Sequence, residues 1–159
     1  MGNEENVSKT VSEEMIRYAT EVCRKYSTIK TLAEESETSW KQNVEMAETS
    51  KYPAEKAMYV QQAGEELAKY NAAQEWMKIV DTTVLKIRDT KTRLVLRQNC
   101  LAGATMKSIL LDKKAKTYMS RATATRHKKK GLEQMALLLP AVSERLNKLE
   151  RKITKVESL

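Results

Sequence analysis

Between Ser120 and Arg126 the chain reads Ser-Arg-Ala-Thr-Ala-Thr-Arg, a run whose side chains suit reading the edges of DNA base pairs. Arginine can donate to both major-groove acceptors of guanine, and threonine can hydrogen-bond a base edge or touch a thymine methyl. Ser120 reads as a helix N-cap. The first turns of the helix that follows would then present Arg121, Ala122, Thr123, Thr125 and Arg126 to a groove. From Lys107 to Lys130 there are nine basic residues and one acid, Asp112. Arg93, Arg97, Lys107, Lys128, Lys129 and Lys130 are the candidates for phosphate contacts, which position a protein without reading sequence. Lys128, Lys129 and Lys130 are consecutive and spread over more than half the helix circumference, so only two of them are expected on one phosphate strand.

Other chemistries find less support. His127 is the only histidine, and nothing at a suggestive spacing completes a catalytic triad or a metal site around it. Cys23 and Cys100 form no disulfide framework and read as small buried residues. The carboxylates are scattered among lysines, and Gly2, Gly64, Gly103 and Gly131 are too isolated for a phosphate-cradling loop. The expectation is a protein that is not an enzyme and that uses neither a metal nor a cofactor.

The elements that must position the Ser120 run are helical. Two prolines and four glycines in 159 residues are too few turn residues for a β-sandwich or an α/β enzyme of this length. No run approaches the roughly 20 apolar residues of a membrane span, and the start lacks a signal peptide's basic and apolar regions. A soluble, cytoplasmic protein is expected. The net charge of +8 divides unevenly: residues 1–80 carry 14 acids and 10 bases, whereas residues 81–159 carry 7 acids and 19 bases. Such asymmetry suggests that the second half meets a polyanion.

Ser12 reads as an N-cap, with Glu13 and Glu14 in the first turn of a helix. Met15, Ala19, Val22, Tyr26, Ile29, Ala33, Ser36 and Trp40 then recur at steps of four and three, the mark of a seam against another helix. Pro53 suits the first position of a second helix, with Met58, Ala63, Leu67, Tyr70, Trp76 and Ile79 on its apolar face. Asp81 and Asp89 are the next cap candidates. Helices are expected over Thr90 to Leu101, Thr105 to Lys114 and Arg121 to Leu139, with Ala102-Gly103 as a stop and Pro140 as the last terminator. Leu146, Leu149 and Ile153 give the tail an apolar stripe. The fold class is thus all-α: a long N-terminal helical hairpin (1–80) for oligomerisation or partner binding, a helix-turn-helix (81–140) and a terminal amphipathic helix (141–159). Val22, Tyr26, Ile29, Trp40, Leu146, Leu149 and Ile153 are the expected oligomer interface.

The stretch Ile87-Arg88-Asp89, Arg93-Leu94-Val95-Leu96, Leu101-Ala102-Gly103, Ile109 and Ser120 to Arg126, closed by Gly131-Leu132, resembles the C-terminal helix-turn-helix of bacterial sigma factors. It is still more similar to the sigma-like regulators of late transcription in phages of Gram-positive bacteria, the ArpU and RinA type. The likeness covers about 50 of the residues and centres on the Ser-x-x-Thr-small-x-Arg run. It implies promoter or operator recognition by the helix that starts at Ser120. The spacing from Ile109 to Ser120 is about one helical turn longer than the sigma-like pattern. Nothing resembles the sigma region that melts DNA, and the acidic half has no counterpart.

A DNA-binding transcription regulator of phage type is therefore expected, with double-stranded DNA as its partner, RNA polymerase as a further contact and a homodimer as its form. Two alternatives stand beside it. One is a helical interaction protein whose basic half docks on an acidic protein or on a membrane surface. Its N-terminus Met1-Gly2-Asn3-Glu4-Glu5-Asn6 approaches a myristoylation signal but has Asn6 where Ser or Thr is required. The other is a DNA-packaging protein like a small terminase subunit.

Overall fold

A computed structural model of the protein describes residues 11–103 and 119–154. Among these residues there are five α-helices and no strands, so the protein is all-α. The expected helix over Thr105 to Lys114 and the phosphate candidate Lys107 lie outside the described residues.

Helix α1 spans Glu13–Thr49. Its start follows from local chemistry: Ser12 Oγ accepts from the Met15 backbone N–H at 3.2 Å, and Glu13 and Glu14 face the positive end of the helix dipole. The 3.5-residue seam is real. Ala19, Val22, Ile29, Ala33 and Ser36 are buried, and Met15, Tyr26 and Trp40 are half-buried. Helix α2 spans Pro53–Leu85, with Pro53 in its first turn as its missing N–H allows.

Asp81 is not a cap. Helix α2 continues past it because Val80, Thr83 and Val84 keep the apolar face running. The Asp81 carboxylate instead accepts from the Tyr26 hydroxyl, at 2.9 Å and 3.1 Å to its two oxygens. The chain then turns, and Asp89 caps α3 (Thr90–Leu96) by accepting from the backbone N–H groups of Lys91 and Thr92. A single π-helical turn, Arg97–Leu101, extends α3. It ends at Gly103, whose φ of 70° is the left-handed conformation that glycine adopts without penalty.

Helix α4 spans Arg121–Leu138, a 3-10 turn over Leu139–Ala141 contains Pro140, and α5 spans Ser143–Thr154. Leu146, Leu149 and Ile153 of α5 are at most 1% exposed. Burial of each contributes about 1.5–3 kcal/mol, which explains how a 12-residue helix persists. Arg145 adds an ion pair to Glu75 of α2 at 2.6 Å, an exposed contact worth under about 1 kcal/mol.

The chain falls into two compact units that do not follow the boundaries expected at 80 and 140. One comprises Met1–Ser27 with Ile79–Ser143, and the other Thr28–Lys78 with Glu144–Leu159, as far as these stretches are described. Both α1 and α2 pass from one unit into the other. In the first unit the core gathers Val80, Val84, Ile87, Val95, Leu96, Ala124, Met135 and Leu139.

Candidate nucleic-acid interface

Helix α4 starts where its sequence says it must. Ser120 is extended (φ −66°, ψ 156°), and its Oγ accepts from the Thr123 backbone N–H at 3.2 Å. The helix cannot run on into the preceding residues, since Met119 and Ser120 are not helical.

The buried side of α4 is set by Ala124, Gly131, Met135 and Ala136, and α3 packs against α4. Gly131 is the point of closest approach: a β-carbon there would meet Thr92 Cγ2 at 3.2 Å and Leu96 Cδ2 at 3.4 Å. A second tie crosses the same pair of helices, where His127 Nδ1 and Thr92 Oγ1 lie 2.9 Å apart. With this side fixed, Arg121, Ala122, Thr125, Arg126, Lys129 and Lys130 are exposed together. At about 100° per residue, Arg121 and Arg126 lie about 140° apart around the axis, flanking Ala122 and Thr125. The outward surface is therefore low in the middle with a guanidinium on each side. No acid precedes Glu133 on this helix.

Thr123 belongs elsewhere. It is half-buried, and its Oγ1 accepts from the Ser120 hydroxyl at 2.8 Å, so it completes the cap rather than facing outward. The phosphate candidates also divide. Arg93 is half-buried and donates to the Ile87 carbonyl at 2.9 Å, bracing the turn before α3. Arg97 is exposed on the π turn. Lys128 is half-buried and lines a cavity. Lys129 is exposed, and Lys130 is exposed with its Nζ 3.9 Å from the Asp89 carboxylate. The Asp89 carboxyl is held below its ordinary value, first by the Thr92 N–H and then by the Lys91 N–H, with His127 and Lys130 adding to the effect.

The expected oligomer-interface residues are mostly interior. Val22, Ile29, Leu146, Leu149 and Ile153 are each at most 5% exposed within the single chain, so the chain itself covers the stripes that a twin was expected to cover. Tyr26 is half-buried and engaged with Asp81, and Trp40 is half-buried. The large apolar side chains that do reach solvent include Val44, Met46, Met58 and Val60.

The helical spacing of Ala124, Leu132 and Met135 already leaves His127 or Lys128 partly covered, and both are half-buried; what escaped the sequence is that Thr92 is the partner of His127. Cys23 and Cys100, read as unrelated, line one cavity. Nothing in their 77-residue separation could signal it. Among the described residues no helix is long and apolar enough to cross a membrane, and no three His, Cys, Asp or Glu side chains group as metal ligands would. No protein family, curated protein or solved structure matches the chain.

Proposed function

We propose that the protein is a sequence-specific DNA-binding regulator of transcription, of the phage late-transcription kind that its sequence pattern resembles, and that it reads the major groove with α4. The observation that supports this is the outward surface of α4: Arg121 and Arg126 flank Ala122 and Thr125 at the start of a capped helix whose other side is held by α3. A helix presented in this way fits a major groove, with its N-terminal side chains on base edges. Arg121 and Arg126 would donate to guanine and Thr125 would contact a base edge or a thymine methyl. Lys129 would meet phosphate. Thr123 has no base-reading role in this scheme, and neither Arg93 nor Lys128 is a phosphate clamp.

The test is selection of a binding site from random duplex DNA, followed by gel shift with Arg121→Ala and Arg126→Ala. Loss of a bidentate arginine is worth about 1–3 kcal/mol, so each variant should bind the selected site about five- to 150-fold more weakly. Lys129→Ala should weaken binding to all duplexes alike and flatten its dependence on salt. If both arginine variants bind the selected site as the wild type does, α4 is not the reading helix.

A homodimer on two half-sites belongs to the same reading. Its contact would use exposed apolar side chains such as Val44, Met46, Met58 and Val60, since the seam residues are already covered. Sedimentation of wild type and of a Met58→Glu, Val60→Glu variant decides this: the dimer predicts a shift to monomer. A ring-shaped oligomer would instead favour the DNA-packaging reading.

A further inference from the structure

A cavity of about 190 Å³ opens in the first unit, bordered by Cys23 and Arg24 of α1, Cys100 of the π turn, and Lys128 and Leu132 of α4. Both cysteines of the protein are on its wall. They are free thiols that share this wall, close enough for each to shift the ionisation of the other. Cys23 is the more buried of the two, and its thiol also lies 3.8 Å from the Met135 thioether, which is fully covered. Cys100 is half-buried. Its position depends on the π turn, in which the Ala102 N–H reaches back five residues to the Arg97 carbonyl at 2.8 Å. Widened turns of this kind occur preferentially at functional sites.

The two thiols are not equivalent. The Cys23 hydrogen bond, aided by the Lys128 charge, pulls the Cys100 thiol below its ordinary value. The Cys23 thiol is pushed up strongly, chiefly by that same hydrogen bond, then by burial and by the negative charge that Cys100 acquires. Cys100 is therefore the sulfur that ionises first, beside a cation and open to a small reagent, while Cys23 keeps its proton behind it. A nucleophilic thiolate with a protonated thiol beside it on one cavity wall is the arrangement of an attacking and a resolving cysteine.

We propose that Cys100 and Cys23 are a redox-active pair that a hydroperoxide converts to an intramolecular disulfide. The Cys100 thiolate attacks one peroxide oxygen; an S–O bond forms, the O–O bond breaks and hydroxide leaves. The Cys23 sulfur then attacks the Cys100 sulfur, its proton passing to the departing oxygen. The S–S bond forms, the S–O bond breaks and water leaves. Two thiols and one hydrogen peroxide thus give one disulfide and two waters, the two electrons coming from the sulfurs. A dithiol reductant reverses the change. The disulfide would fasten α1 to the π turn that extends α3. It is independent of whether α4 reads DNA.

The experiment uses the full chain, reduced and then exposed to hydrogen peroxide near neutral pH, with iodoacetamide alkylation, intact mass and peptide mapping. Wild type should lose the mass of two hydrogens and both alkylation sites, and should yield a peptide joining Cys23 to Cys100 that dithiothreitol separates. In Cys23→Ala, dimedone should trap a sulfenic acid at Cys100. In Cys100→Ala, Cys23 should resist peroxide. Wild-type protein that gains oxygen without crosslinking, crosslinks only between chains, or keeps both thiols alkylatable overturns the proposal, and none of these readings depends on a variant folding.

Discussion

His127 Nδ1 and Thr92 Oγ1 lie 2.9 Å apart, joining the outward-facing helix α4 to the short helix α3 behind it. Thr92 is fully buried, so its hydroxyl has no alternative partner in water, whereas half-buried His127 can regain one. Thr92→Val keeps the shape and removes the hydroxyl. It should destabilise the protein by about 1 kcal/mol, seen as a lower Tm in circular dichroism. An unchanged Tm would mean that the hydrogen bond contributes nothing.

Gly131 faces the same threonine, and two glycine replacements should move stability in opposite directions. At Gly64, in the exposed middle of α2, nothing lies within 4 Å of an added β-carbon. Gly64→Ala should stabilise by about 0.5–1 kcal/mol through helix propensity. Gly131→Ala makes the same propensity gain but drives its methyl to 3.2 Å from Thr92 Cγ2, on a stiff β-branched side chain. Overpacking of this kind costs about 1–3 kcal/mol, so the net change should be destabilising. Removing that methyl with Thr92→Ser should make Gly131→Ala better tolerated, a coupling that a double-mutant cycle in urea would measure.

Tyr26 gives the protein an alkaline limb. Burial, then the hydrogen bond to Asp81 and the charge of that carboxylate, push the Tyr26 phenol from 10.0 up to about 12. The neutral phenol is the form that the fold favours. Its contribution is complete below 10.0 and fades as pH rises from there to about 12. Tyr26→Phe should cost about 1 kcal/mol near neutral pH. The gap between wild type and variant should close across that alkaline interval in urea melts, and a constant gap would contradict the assignment.

Asp89 supplies the opposite limb. Its carboxyl is held below the ordinary value of 3.8 by the first backbone N–H groups of α3. The stability that it adds is present above 3.8 and is lost as pH falls through the lower folded value. Asp89→Ala should lower Tm at neutral pH, Asn should recover much of the loss as a competent cap, and the Asp-to-Ala difference should shrink in acid. Thermal melts from neutral to acidic pH test all three statements.

The features legible in the sequence are those set by neighbours in the chain. Ser12, Pro53, Ser120 and Gly103 act within a few residues of where they stand, and each sits at the boundary its chemistry implies. The α1 seam was legible because periodicity records which side is covered. It does not record what covers it, and so Leu146, Leu149 and Ile153 read as a stripe for a twin although their own chain covers them. Asp81 reads as a cap until Tyr26, 55 residues away, is seen to occupy it. At the candidate site the outward stripe of α4 could be read from helical spacing, except Thr123, whose hydroxyl completes the Ser120 cap. The cysteine pair could not be read at all, because only the fold brings α1 to the π turn.

The division of the chain into two interleaved units has a consequence for how the protein can be taken apart. Residues up to 27 rejoin those after 79 in one unit, while 28–78 are joined by the tail from Glu144 in the other. No single cut yields either unit free of the other's residues, and a break after residue 80 deprives both of an essential segment. Neither unit is a module that a gene fusion or one recombination junction could transplant. Fragments made at the boundaries suggested by the charge pattern should fail to fold as soluble pieces, whereas two complementary fragments nicked in the Lys51-Tyr52 link between α1 and α2 retain every helix and have the means to reassociate.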